Sequence, residues 1–289
     1  GSKENLERSE EKEITKFDQK GLKILIAEDN PINLVYITGV LEKYDFRFKT
    51  AKNGKEAVDL LRKSSDYNAV FMDLQMPELD GYEATKIIRE NLKLDLPIIA
   101  LTANAFPEDK RKVIKSGMNG FISKPFEPKD LFKELKRVLD LDSTSVEEVT
   151  IEINEQNEAD LSQNNHGESK NNQPESNSYY SLKQIEQLSA GNNDFFDNMI
   201  QVFLQETPLQ IKQMQELLKD NDYYKVGRLA HKMKPTIDMF EMTDLKTLIR
   251  ELESESKNDV IEPLSISQKV DFTVQRLNLI VEDIQARFG

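Results

Sequence analysis

The chain has 289 residues, of which 38% are hydrophobic and 31% charged, with a formal net charge of −13. This length suits two domains of ordinary size, the acidic balance argues against a nucleic-acid-binding surface, and the lack of cysteine excludes disulfides, thiolate metal sites and a cysteine nucleophile. No apolar run approaches the ~18 residues of a membrane span and no signal peptide is visible, so a cytoplasmic location is expected, with any inner-membrane anchor of a longer parent chain lying outside this piece.

Gly1-Ser2 reads as an expression remnant, and residues 3–20, charged with little apolar content, read as a leader from something upstream. A first domain is expected over residues 21–141. Leu22–Ala27 suits a buried strand and ends in Glu28-Asp29-Asn30-Pro31. Asn30 is a good helix N-cap and Pro31 suits the first helical position, so a helix is predicted to about Tyr44. A strand over Phe46–Thr50 follows, and Asn53-Gly54 turns the chain into a helix through about Lys63. Ala69-Val-Phe-Met-Asp73 is an apolar run ending in an acid, which reads as a buried parallel strand, with a loop closed by Pro77 and Gly81. A helix from Gly81 to about Glu90, a strand over Pro97–Thr102, a helix over Pro107–Ser116, a strand over Gly120–Ser123 and a helix from Pro128 to about Asp140 complete the domain. Five strands alternating with five helices imply α/β architecture with a doubly wound parallel sheet.

In such a sheet the working site lies at the carboxyl ends of the strands. Three strands end there in polar residues, Glu28-Asp29, Asp73 and Thr102, and Lys124 follows the fifth. Clustered carboxylates repel one another, which raises their proton affinity unless a cation lies between them. All-oxygen ligation favours a hard ion such as Mg²⁺. An aspartate nucleophile, a divalent cation, a lysine and a hydroxyl together make a site for phosphoryl transfer to a carboxylate. An aspartate at a strand end can also do no more than cap a turn.

The segments Ile-Leu-Ile-Ala-Glu28-Asp29-Asn-Pro, Met-Asp73-Leu-Gln-Met-Pro77-Glu-Leu-Asp-Gly81, Ala-Leu-Thr102-Ala103 and Ile-Ser-Lys124-Pro125 resemble the receiver domain of two-component signalling, over about residues 22–140. The resemblance implies a flavodoxin-like sheet of order 2-1-3-4-5. It implies that Asp73 is the phospho-acceptor and that Asp29 and the Gln75 backbone carbonyl join it on Mg²⁺, with Glu28 acting through water. Lys124 would bind the phosphoryl group, Thr102 would move toward it, and Phe121 matches an aromatic switch, although a strand phenylalanine is also ordinary core. Gln75 and Asn104 match positions that tune dephosphorylation. Two rivals fail on particular residues. A haloacid-dehalogenase-type phosphatase needs an aspartate two residues after the nucleophile, where this chain has Gln75. A dinucleotide site needs a glycine-rich turn after the first strand, where this chain has Glu-Asp-Asn-Pro.

Residues 142–177 turn polar, with nine acidic residues against one lysine, Lys170. Such a segment cannot bury enough apolar surface to order itself, although Val149–Ile153 alternates as a transient strand would. A flexible tether of this length spans roughly 30–36 Å. Beyond it, residues 178–289 show no strand pattern. A short helix from Ser181 to near Gly191 is predicted, then long helices over Asn193–Lys219 with a kink at Pro208, Asp222 to about Phe240, Thr243–Ser254 and Ser265–Arg287, an all-α bundle of four main helices. In the second long helix Val226, Leu229, Ala230, Met233, Ile237 and Phe240 form an apolar stripe. His231 lies roughly 150° from its centre and is expected to face water. A metal site there is disfavoured, because the other histidine, His166, falls in the linker.

Leu-Ala-His231-Lys-Met-Lys234-Pro-Thr, with Tyr179–Ser189 and Phe195–Leu204 before it, resembles the histidine phosphotransfer (Hpt) domain. That resemblance implies His231 as a second phospho-acceptor, steadied by Lys234. Pro235 departs from the glycine usual in the family. It crowds the His231 carbonyl and predicts a bend over residues 231–235. Nothing resembles a histidine-kinase ATP-binding domain. The chain as a whole resembles the carboxyl-terminal part of a hybrid sensor kinase. The implied route runs from an upstream histidine kinase to Asp73, to His231, to a downstream response regulator. The alternative is a receiver whose bundle only dimerises or docks a partner.

Overall fold

The computed structural model describes residues 21–102, 107–124, 126–139, 179–189, 192–258 and 261–289. The leader at 3–20 and the acidic connector at 142–177, with His166 and Val149–Ile153 inside it, lie outside the described residues, as do Ala103, Asn104 and Pro125.

The α/β part runs β1 (Lys23–Ala27), α1 (Pro31–Lys43), β2 (Arg47–Ala51), α2 (Gly54–Lys63), β3 (Ala69–Asp73), α3 (Gly81–Glu90), β4 (Ile98–Thr102), α4 (Pro107–Lys115), β5 (Gly120–Ser123) and α5 (Pro128–Leu139). All pairings are parallel, in the order β2-β1-β3-β4-β5. Side chains explain where the helices start. Asn30 Oδ1 accepts from the Ile32 and Asn33 N–H groups, Asn53 Oδ1 from Glu56 N, and Asp80 Oδ1 from Glu83 N. The second strand begins one residue later than its apolar pattern suggests. Asp45 adopts φ 58° and Phe46 N donates to Leu41 O, so Phe46 still belongs to the C-terminal cap of α1.

The central strands β3 and β4 are buried along their whole length, as strands covered on both faces must be. One apolar cluster, with Leu25, Val70 and Met72, lies under α2, α3 and α4. The other, with Ile24, Ile26 and Phe71, lies under α1 and α5 and continues without a break into the helical part.

That part comprises α6 (Lys183–Ser189), α7 (Asn193–Lys219), α8 (Tyr223–Met239), α9 (Thr243–Glu255) and α10 (Pro263–Phe288). The whole α8 stripe from Val226 to Phe240 is buried, and Phe203 stacks on Phe240 with ring centroids 4.3 Å apart. Pro208 and Pro235 are carried inside unbroken helices. No helix among the described residues is long and apolar enough to cross a membrane.

The loop after β3 is closed by a near contact. A Cβ on Gly81 would lie 2.3 Å from the Asp73 carbonyl oxygen, while Gly81 N donates to Leu74 O at 3.2 Å. Glu78, at φ 63°, is held by Asn53 Nδ2 at 3.1 Å. Gly81→Ala forces the Asp73 loop outward and should destabilise the α/β domain by ~1–3 kcal/mol. Urea unfolding reads this, and an unchanged midpoint would show that the loop yields freely.

Candidate functional site

The parallel order places β1 beside β3 at the point where the chain reverses its direction of winding, where the carboxyl ends of the strands leave a crevice. Glu28 and Asp29 enter it from the end of β1 and Asp73 from the end of β3. Carboxylate oxygens of the three lie within 4.8 Å of one another. Lys124, just after β5, reaches across with Nζ 2.8 Å from Asp73 Oδ2 and 2.7 Å from Glu28 Oε2. Asp73 Oδ1 accepts from Gln75 N at 3.1 Å, so the aspartate caps its own turn as well as entering the cluster. Thr102, at the end of β4, is buried, and its carbonyl accepts from Lys124 N.

Glu28 is 1% exposed and fully engaged. Its Oε1 accepts from Asn30 N and Asn33 Nδ2, at 3.1 and 3.0 Å. Burial first, then the Asp73 charge, pushes the Glu28 carboxyl up to about 8, against the opposing pull of Lys124 and Asn33. Burial works against the Lys124 ammonium, but Asp73 and Glu28 outweigh it and hold its pKa above the ordinary lysine range. The three acids crowd like charge around Lys124, and their donors are all oxygen. That donor set fits a hard divalent cation.

Opposite this crevice stands α8. His231 was expected to face water, yet its side chain is only 17% exposed. Helical periodicity places it off the apolar stripe, as expected, but two tertiary features then cover it. Glu253 of α9 lies 2.8 Å from its Nδ1, and His231 lines a cavity shared with the strand ends of the α/β domain. The Glu253 carboxylate also accepts from Lys234 Nζ at 2.6 Å and Lys257 Nζ at 2.7 Å. Burial disfavours its charge, but these hydrogen bonds outweigh burial and hold the carboxyl well below the usual range. An ionised Glu253 can only accept, so Nδ1 donates to it, and in the neutral imidazole that tautomer leaves the lone pair on Nε2.

Two contacts tie the halves together near these groups. Lys232 Nζ pairs with Asp29 Oδ2, and Asn30 Nδ2 donates to Lys232 O at 2.7 Å. Pro235 brings no N–H to the His231 carbonyl, and the carbonyl engaged by a side chain is the next one, Lys232 O. Glu28, Asp29, Asp73, Gln75, Thr102, Lys124, His231, Lys234 and Pro235 all line one cavity of about 230 Å³. Phe121 does not line it. That ring is half-buried among the apolar residues beneath α2, α3 and α4, with Lys110 Nζ 4.8 Å from its centroid.

Residues 24–136 match the response regulator receiver domain, and residues 198–287 match the Hpt domain. The chain joins a receiver domain to an Hpt domain. Among curated relatives it is 37% identical over 138 residues to histidine kinase 3 of Arabidopsis thaliana, covering 40% of this chain and 13% of that protein. It is 42% identical over 118 residues to hybrid signal transduction histidine kinase I of Dictyostelium discoideum, covering 38% of this chain and 7% of that one. The chain thus spans a small part of the relatives it matches. A receiver domain of a sensor histidine kinase from Pseudomonas aeruginosa PAO1, solved with magnesium in its active-site cleft, is 40% identical over 41% of this chain and 98% of its own, with a TM-score of 0.38. A chain of the Saccharomyces cerevisiae complex between Ypd1 and the Ssk1 receiver is 35% identical over 43% of this chain and 92% of its own, with a TM-score of 0.40. A receiver followed by an Hpt domain is the domain pair of phosphorelay signalling.

Reading the sequence missed Glu253, Lys232 and the second role of Asn30. Glu253 sits among other charges in Arg250-Glu-Leu-Glu253, and nothing local separates it from a solvated face. Lys232 did carry a signal, a positive charge beside the Hpt histidine that can meet the acid cluster at the receiver's strand ends.

The raised Glu28 pKa has a sign that can be tested. In divalent-free buffer folded Glu28 holds its proton up to about pH 8, whereas the unfolded carboxyl releases it near the ordinary glutamate value of 4.5. The folded state binds more protons between these values, so stability falls as pH rises through that window, by at most ~1.4 kcal/mol per pH unit. Thermal unfolding from pH 5 to 8 should show the decline, and Glu28→Gln should remove most of it. A slope unchanged in Glu28→Gln would place its origin elsewhere.

Proposed function

We propose that Asp73 of the receiver accepts a phosphoryl group from an upstream histidine kinase and that His231 takes it from Asp73 and passes it to a downstream response regulator. The observation that carries this reading is that Asp73 and His231 line one cavity, with Lys124 on one wall and Lys234 on the other.

The residues divide the work. On loading, an Asp73 oxygen bonds to phosphorus and the donor nitrogen leaves. On transfer, the Nε2 lone pair of His231 attacks phosphorus, the bond from phosphorus to the Asp73 oxygen breaks, and the carboxylate is restored. Positive charge develops on the imidazole as Nε2 bonds, and ionised Glu253 on the Nδ1 side offsets it. Lys124 and Lys234 hold the phosphoryl oxygens from the two sides. Glu28, Asp29, Asp73 and the Gln75 backbone carbonyl would hold Mg²⁺, which when bound neutralises charge on those oxygens. Thr102 donates its hydroxyl to the same group, and Phe121 is the aromatic position that would respond to it.

Acetyl phosphate should label Asp73, and Asp73→Asn should take up no label there, because an amide is not a carboxylate nucleophile. Acid-labile, base-stable label should then appear on His231 and vanish in His231→Gln with Asp73 labelling intact. Label on Asp29 or Glu28, or none on His231 from any donor, would defeat the assignment and leave the bundle as a docking module. Glu253→Ala frees the imidazole to rotate and change tautomer. It should slow transfer to His231 roughly a hundredfold with little change in labelling of Asp73, and an unaltered transfer rate would remove Glu253 from the mechanism.

A further inference from the structure

Gly39 lies inside α1, where glycine is a poorer choice than almost any other residue. Its φ is not in the left-handed region, so conformational freedom does not explain it. It sits on the α1 face opposite Ile37 and Leu41, both fully buried in the receiver, so the receiver's own packing does not explain it either. Space does. A Cβ on Gly39 would lie 2.3 Å from Cδ2 and 2.4 Å from Cε2 of Phe195. Phe195 belongs to the first turn of α7 in the Hpt domain. Its N–H donates to Asn192 Oδ1 at 3.1 Å, which fixes that turn, and its ring is 8% exposed within the apolar cluster that runs through both domains.

The contact has a counterpart at the other end of the helix. Asn30, the N-cap of α1, donates to Lys232 O beside His231. Gly39 is nine residues further on, ~13 Å along the axis. Anchors that far apart set both the position and the angle at which α1 crosses the bundle. They therefore set where Asp73 stands relative to His231.

We propose that Gly39 and Phe195 form a steric key, through which the Hpt domain admits to His231 a receiver whose α1 carries no side chain at this position. The key favours this chain's own receiver and demands the same smallness of any downstream receiver that His231 serves. The inference rests on the reading that His231 exchanges a phosphoryl group with a docked receiver.

The test uses the full chain with Gly39→Ala, Gly39→Leu, Phe195→Ala and the pair Gly39→Leu with Phe195→Ala. Docking is read by amide exchange on α1 and on the first turn of α7. Transfer is read by rapid quench after labelling Asp73 with acetyl phosphate and Mg²⁺. Alanine is the better helix former, so Gly39→Ala leaves the receiver at least as stable, and lost docking in it cannot be lost folding. Exchange should rise from wild type to alanine to leucine. Transfer to His231 should slow in the same order, by roughly tenfold or more for leucine, with uptake at Asp73 not reduced. Phe195→Ala should restore docking and most of the rate to Gly39→Leu. Unchanged exchange in Gly39→Leu, or no rescue by Phe195→Ala, overturns the key. A wild-type His231 that never carries label would defeat the phosphotransfer reading instead, and the exchange arm would still decide the key.

Discussion

Like charge confined at one sheet edge is the constraint on which the rest of this structure depends. Three carboxylates meet within 4.8 Å at the ends of β1 and β3, and the sheet gives them no room to separate. The fold answers with Lys124 held between Glu28 and Asp73, and with a Glu28 whose affinity for its proton is raised by burial. A group bringing positive charge is therefore stabilised in this crevice, and anionic phosphoryl oxygens would be held there only through such a group or through Lys124. Asp29 of the same cluster pairs with Lys232 of the Hpt domain.

Docking and chemistry share parts. Asn30 shows it most plainly: Oδ1 caps α1, the backbone N–H donates to Glu28, and Nδ2 donates to the Hpt backbone beside His231. One residue thus links helix initiation, the acid cluster and the partner domain. Glu253 plays a comparable part on the other side, where one carboxylate fixes His231 and Lys234 together. Both arrangements place two groups on one anchor, so the relative geometry of the groups is set by rigid helices rather than by flexible side chains.

The cavity between the domains explains why an Hpt histidine can be both half-hidden and available. With the receiver in place its side chain is 17% exposed. His231 and the acid cluster of the receiver line the same cavity.

The sequence by itself determined the class of each domain, the number and order of its elements, and the strand-end residues that make up the acid cluster. Those signals are local. A run of four apolar residues leading into an acid, an Asn-Pro helix start and a stripe at helical spacing each act within a few residues of themselves. Placement of Glu28, Asp29, Asp73, Thr102 and Lys124 at one edge then followed from the parallel topology. Tertiary structure alone decided what surrounds His231. Glu253 is separated from it by 22 positions and comes from another helix, and Asn30 meets Lys232 across 202 positions. Helical periodicity fixes the direction in which a side chain leaves its own helix, which is why the apolar stripe was legible. It does not fix what stands in that direction. The second helix and the second domain supply that, so the covered histidine, its orienting carboxylate and the glycine that admits Phe195 became visible only once the chain was folded.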